Sequence, residues 1–366
     1  MKKIAVAAGV ILAIIIVGIV FINVKRQDTE ITKDQTKVGM ILNGTCDDQS
    51  YSQAHYESME KTAKELNLFV TYKESVPYDE TCKETMENMI HDGCEIIICN
   101  SFNYEPWIVD VAKEYPEVYF LHATGTQQGE NLTSFFGRMY QIRYLSGVVA
   151  GLQTESNEIG YVAAYPIAEV NRGINAFTLG ARSVNPDVTV YVEWTNSWTD
   201  DAICADATKQ LLEGHDIDVL AMHVDSIEPL CIADAQGVYT IGYNLDNSES
   251  FPDTYLTAAV WQWDAFYTPQ ILECLQGKFK GSHEWLGIDS DMMALAPLTA
   301  NVKEGTAEIL EKEQAKLMTG TYDVFYGPIT DQSGTVRVLK DECMSDESML
   351  NGFDWYVEGV VICNEK

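Results

Sequence analysis

The chain has 366 residues, enough for two ordinary domains, and its 46% hydrophobic and 10% aromatic content describes a folded globular protein. Its 24 Lys and Arg against 55 Asp and Glu give a formal charge of −31; setting aside Lys2, Lys3, Lys25 and Arg26 leaves −31 − 4 = −35 for the rest. A body this acidic repels phosphate backbones, which excludes nucleic acid as a partner.

The first element is the uncharged apolar run 4–24, which at about 1.5 Å per residue spans roughly 31 Å, the thickness of a bilayer core. A signal peptide has a shorter apolar region and an Ala-x-Ala-like cleavage site, and neither is evident. No cysteine precedes Cys46 to carry a lipid. The expectation is therefore a membrane anchor or signal segment over 1–26 and a linker over 27–36. With Lys2, Lys3 and the amino terminus inside, the acidic body would then sit extracytoplasmically, on the outer face of the cytoplasmic membrane.

From residue 37 strands and helices alternate: a strand at 38–42, a helix at 51–66, a strand at 68–72, a helix at 81–91, a strand at 95–99, a helix at 105–115, then strands at 118–122 and 134–137. The series restarts with a helix at 142–153, a strand at 159–163, a helix at 169–184, a strand at 188–193, a helix at 200–213, a strand at 219–223, a helix at 227–236 and a strand at 239–241. Residues 256–263 pass between the two halves, followed by a helix at 266–276, a strand at 283–288, a helix at 302–317 and an irregular acidic tail. Nearly wholly apolar strands between amphipathic helices predict parallel sheets covered on both faces. The fold class is α/β, with two doubly wound lobes joined by a multi-strand hinge. Lobe 1 is 37–138 plus 263–292, and lobe 2 is 139–262 plus 293–366.

Ligands of such folds bind at strand exits, so Trp198, Trp261 and Trp263, each just after a strand, are candidate walls of a pocket for a flat molecule. Core packing is the competing reading, because aromatics dominate cores. Nine cysteines make an odd number, without the Cys-x-x-Cys pairs of a zinc site. Cys46 and Cys82, placed at one sheet edge, are a candidate disulfide; Cys94 and Cys99 read as inert core residues. The six histidines lack metal-ligand spacing, so neither metal nor cofactor is expected.

The run Val38-Gly-Met-Ile-Leu-Asn43 leading into Asp47-Asp48-Gln49-Ser50-Tyr51-Ser52-Gln53 resembles the basic membrane protein family of solute-binding proteins, which serve ABC importers for purine nucleosides and related compounds. Ile159–Val162, Glu169–Phe177, Asn196-Ser197-Trp198 and Ile241–Asp246 extend the resemblance, which covers residues 37 to 361. It implies a type I periplasmic-binding-protein fold, a purine stacked between Tyr51 and Trp198, and Asp48 or Asp47 accepting hydrogen bonds from the base. Both aspartates also suit a helix N-cap ahead of Tyr51. Ser52, Phe102, Tyr104 and Thr124 lie at the same expected cleft edge. Two departures matter: where nucleoside binders carry an Asp and a Lys that grip the sugar, this chain has Asn244 and, near the second, Trp261. The expectation is a free nucleobase, adenine or a close relative, delivered to an ABC permease. A nucleoside binder of the same family and a membrane-tethered sensor are the alternatives. An enzyme is not expected, since no Gly-x-Ser-x-Gly, His-Glu-x-x-His or phosphate-loop motif occurs.

Overall fold

The computed structural model describes residues 35–320 and 322–364. The predicted anchor and most of the linker lie outside them. Among the described residues no helix is long and apolar enough to cross a membrane.

The first five strands are β1 (Lys37–Ile41), β2 (Phe69–Lys73), β3 (Ile96–Cys99), β4 (Tyr119–Ala123) and β5 (Leu132–Gly137). Between them run α1 (Tyr51–Leu66), α2 (Glu80–His91) and α3 (Glu105–Glu114). β3 is Ile-Ile-Ile-Cys, wholly buried, as befits an inner strand covered on both faces, whereas β2 at the sheet edge is half-exposed. Asp79 caps α2 by accepting from the Thr81 amide.

The chain then crosses through Arg138 and Met139 into the second sheet. Its strands are β6 (Glu158–Ala163), β7 (Thr189–Trp194), β8 (Val219–His223), β9 (Tyr239–Asn244) and β10 (Tyr255–Trp261). Their helices are α4 (Tyr140–Gln153), α5 (Ala168–Val184), α6 (Asp201–Gly214) and α7 (Glu228–Ala235). α4 and α5 pack backbone to backbone through glycines: a Cβ on Gly180 would lie 2.0 Å from the Tyr144 carbonyl oxygen. From β10 the chain returns through Gln262 and Trp263 to α8 (Asp264–Leu275) and β11 (His283–Leu286), which pairs with β5, then crosses a third time to β12 (Met293–Leu295), antiparallel to β10. The resulting orders are β11-β5-β4-β3-β1-β2 and β12-β10-β9-β8-β6-β7, extended by one strand from the tail. Apart from β12 every pairing within the two sheets is parallel. This is the two-lobed, type I periplasmic-binding-protein architecture, with three chain crossings at the lobe junction.

The tail is not irregular. After α9 (Thr306–Met318), β13 (Ile329–Thr330) and β14 (Val336–Val338) form a small hairpin, α10 (Asp346–Asn351) follows, and β15 (Val360–Ile362) adds to the β7 edge. Side chains of α5 hold it: Asn171 and Asn175 donate to the Phe353 and Trp355 carbonyls, and Arg172 to that of Met349. These partners are some 180 residues apart, so no local periodicity announces them.

The Cys46–Cys82 disulfide is also not formed; all nine cysteines are free. Cys82 lies inside the first turn of α2, not after a strand, and its buried thiol faces Cys99. Cys46 sits half-buried beside Glu74, and burial followed by that carboxylate pushes its thiol up to about 12.

Candidate functional site: the interlobe cleft

Parallel strands of both lobes end at the cleft, so the residues just past β1, β3, β7, β8 and β9 converge there. On lobe 1, Asn43 and Asn100 leave β1 and β3 and interlock: the Asn100 amide donates to Asn43 Oδ1 at 2.9 Å, and the Asn43 backbone N–H donates to Asn100 Oδ1 at 3.0 Å. Ser52, buried, donates to the same Asn43 oxygen at 3.0 Å and accepts from the Gly44 N–H. Asp48 stands at the N-terminus of α1, its carboxylate accepting the backbone N–H groups of Ser50, Ser52 and Gln53, each at 2.9 Å. Burial raises its pKa, and these hydrogen bonds oppose the rise. Asp47 is exposed and stays out of this network. Of the two acidic candidates, only Asp48 is built into the cleft wall.

Tyr51, half-buried in the first turn of α1, donates its hydroxyl to the Asn100 carbonyl at 2.8 Å and meets His55 and Trp263 edge-on. Trp263 does not offer a wall: His55 stacks on one side at 4.2 Å and Trp261 at 4.2 Å, both nearly parallel, and the indole has no exposed surface. A ring already stacked by two neighbours has no face left for a ligand. Tyr104 is displaced from the cleft too, being fully buried in the lobe 1 core with its hydroxyl on the Val76 carbonyl. Phe102 is 53% exposed on the short turn after β3. Thr124, at a positive φ of 64°, turns its hydroxyl onto the Ala123 carbonyl.

On lobe 2, Trp198 is half-buried after β7, with the Tyr165 and His223 rings each 6.0 Å away. Its carbonyl accepts the Asp225 N–H at 2.7 Å, which ties the exits of β7 and β8 together. Asn244, at φ 70° and fully buried, is entirely engaged by protein groups. Its Nδ2 donates to Ser50 Oγ of lobe 1 and to Asp225 Oδ1, both at 2.8 Å, while its Oδ1 accepts the Trp261 indole N–H at 3.2 Å. Asn247 adds a second bond between the lobes, to the Gln49 carbonyl at 3.3 Å. The described structure is a closed one, latched directly by protein.

Asp225 was not singled out from the sequence. Burial, then the charge of Asp48, pushes its carboxyl up to about 8. Behind it His223 bonds Glu169 at 3.2 Å and Tyr161 at 3.3 Å. Burial and then Arg143 hold His223 down to about 4; burial alone would raise Glu169, but the charge and hydrogen bond of His223 together with the Arg172 and Arg143 charges more than offset it and leave Glu169 below its usual value. Arg143, with no exposure, covers the Tyr243 ring at 3.8 Å and donates to the Met222 carbonyl. Position alone could have flagged Asn43, Asn100 and Asp225, each one or two residues beyond a strand that enters the cleft. Among the described residues no cluster of three or more His, Cys, Asp or Glu is arranged to hold a metal.

A family model described as ABC transporter substrate-binding protein, PnrA-like, matches residues 35–322. The chain belongs to this family. A purine-binding protein of Brucella abortus (strain 2308) is 32% identical over 330 residues, 90% of this chain and 93% of that protein. A putative ABC transporter glucose-binding protein of Haloferax volcanii is 32% identical over 314 residues, 86% of this chain and 77% of its own. A solute-binding protein of an ABC transporter from Conexibacter woesei shares the fold, with TM-score 0.68 at 20% identity over 79% of this chain and 98% of its own. This PnrA-like substrate-binding protein thus belongs to a family that captures small molecules for transport rather than one of enzymes.

Proposed function

We propose that this protein is the extracytoplasmic binding component of an ABC importer for a purine nucleobase, adenine or a close relative, held between the lobes and passed to a permease. Trp198 and Tyr51 stack on the base, Asp48 faces it from lobe 1, and the lobes move about the crossings at 138/139, 262/263 and 292/293. The purine-binding relative supports the ligand class.

The observation that carries the choice of base over nucleoside is the state of Asn244 and Trp261. Trp261 lies between Trp263 at 4.2 Å and Phe136 at 4.9 Å, and its N–H is given to Asn244. Indole therefore fills the end of the cleft where the resemblance would put a sugar, and the Asn244 amide has no donor left for ribose hydroxyls.

Thermal shift and calorimetry with adenine, guanine, hypoxanthine, adenosine, guanosine and glucose test the reading. Adenine is expected to stabilise most. Nucleosides binding more than about tenfold tighter than adenine would restore the sugar subsite, and a response to glucose alone would place the protein with its Haloferax relative. Finding a permease and an ATPase encoded beside the gene would favour delivery over a tethered sensor, and finding neither would favour the sensor.

A further inference from the structure

We propose that Asp225 is a specificity-determining residue of the cleft: its carboxylate reads the edge of the base lying on Trp198 and selects a 6-aminopurine over a 6-oxopurine. This rests on the purine reading above.

Three features fix the carboxylate. Its backbone N–H is bonded to the Trp198 carbonyl at 2.7 Å, so carboxylate and indole move as one loop cluster. Its Oδ1 is held by Asn244 Nδ2 at 2.8 Å, and Asn244 is itself oriented by Ser50 and Trp261. No protein donor meets Oδ2 among the described residues, so this oxygen is the one left to face a ligand. Asp48, by contrast, already spends both oxygens on three helix N–H groups.

An ionised carboxylate only accepts hydrogen bonds. Set against the six-position of a purine, it pairs with an exocyclic amine and repels a carbonyl, and a buried acceptor left facing another acceptor is strongly rejected. The charges around it sharpen this. Asp48 and Glu169 press on it as like charges, Tyr51 and Tyr243 are neutral phenols, His223 is bonded to Glu169, and Arg143 lies over the Tyr243 ring and donates through Nη1 to the Met222 carbonyl, its Nε and Nη2 being buried without a partner among the described residues. Because burial holds the carboxyl up to about 8, discrimination should grow as pH rises through that value, where Oδ2 loses its proton and can no longer donate to a carbonyl.

The test is calorimetry of the full chain with adenine and hypoxanthine at pH 6.5 and 8.5, for the wild type and Asp225→Asn. The wild type is expected to favour adenine, more so at pH 8.5, and the variant to narrow that preference by about tenfold or more, since an amide can turn its N–H2 to a carbonyl. If both purines weaken by the same factor and the ratio ignores pH, Asp225 is only part of the latch and the inference fails while the purine reading stands. If no purine binds the wild type, both fail. Should Asp225→Asn not fold, a wild-type co-crystal with adenine decides: a carboxylate oxygen within about 3.2 Å of a base N–H is expected, and one beyond about 4 Å overturns the assignment.

Discussion

Replacing Asn244 with Asp changes the shape of the latch by almost nothing and its hydrogen bonding completely. The Trp261 N–H at 3.2 Å can still be accepted, and the Ser50 hydroxyl, 2.8 Å away, can rotate to donate. What is lost is the amide donor to Asp225 Oδ1 at 2.8 Å, a charge-assisted bond of about 1.5–3 kcal/mol. In its place two carboxylates meet, costing up to about 4 kcal/mol at an effective dielectric of about 20. Partial relief by movement and proton sharing leaves roughly 4 kcal/mol in total against closure, a factor of about 10³. If the closed form is the one that holds ligand, apparent adenine affinity falls by that factor at pH 8.5. At pH 5.5 a proton shared by the pair restores an O–H···O bridge and most of the affinity. Calorimetry of wild type and Asn244→Asp at both pH values checks this. Unchanged adenine affinity at pH 8.5, or newly acquired adenosine binding, would refute the latch and return Asn244 to a sugar subsite.

Trp198→Ala should weaken purine binding by about ten- to a hundredfold through lost stacking and burial, and calorimetry within about twofold of wild type would remove the ring from the site. Stability should depend on pH through two groups of opposite sign. His223, held down to about 4, contributes stability that is complete above its ordinary value of about 6.5 and fades as pH falls toward 4. Asp225, held up to about 8, contributes stability that is complete below its ordinary carboxylate value and fades as pH rises through 8. Between pH 6.5 and 8 only the second of these changes, by about 1–2 kcal/mol, so the melting temperature should drop by a few degrees in the wild type and not in Asp225→Asn. Gly180→Ala puts a methyl 2.0 Å from the Tyr144 carbonyl oxygen, backbone against backbone, and should cost about 2–4 kcal/mol in chemical denaturation. An unchanged midpoint would mean α4 and α5 part without loss.

The strand and helix alternation was legible because its signals are local: Ile96–Cys99 is apolar throughout, and Asp79 and Asp200 stand where helix caps belong. Strand ends were less so. The strand expected at 239–241 stops short of Asn244, because polar residues at a buried strand exit carry no period. The aromatics after the strands were visible as a group, but not their division of labour. That Trp261 and His55 cover the two faces of Trp263, while Trp198 keeps surface in the cleft, depends on segments brought together from both lobes.

The amino-acid sequence by itself determined the fold class, the acidic character and the succession of strands and helices, since each follows from neighbouring residues and their hydrophobic spacing. Only the tertiary structure decided that Asn244 reaches Ser50 across 194 residues of chain, that Asp225 stands beside Trp198, and that the tail completes the second sheet. Hydrogen bonds between remote segments are selected by the closed three-dimensional arrangement, in which a buried amide or carboxylate must find its partner wherever the chain returns.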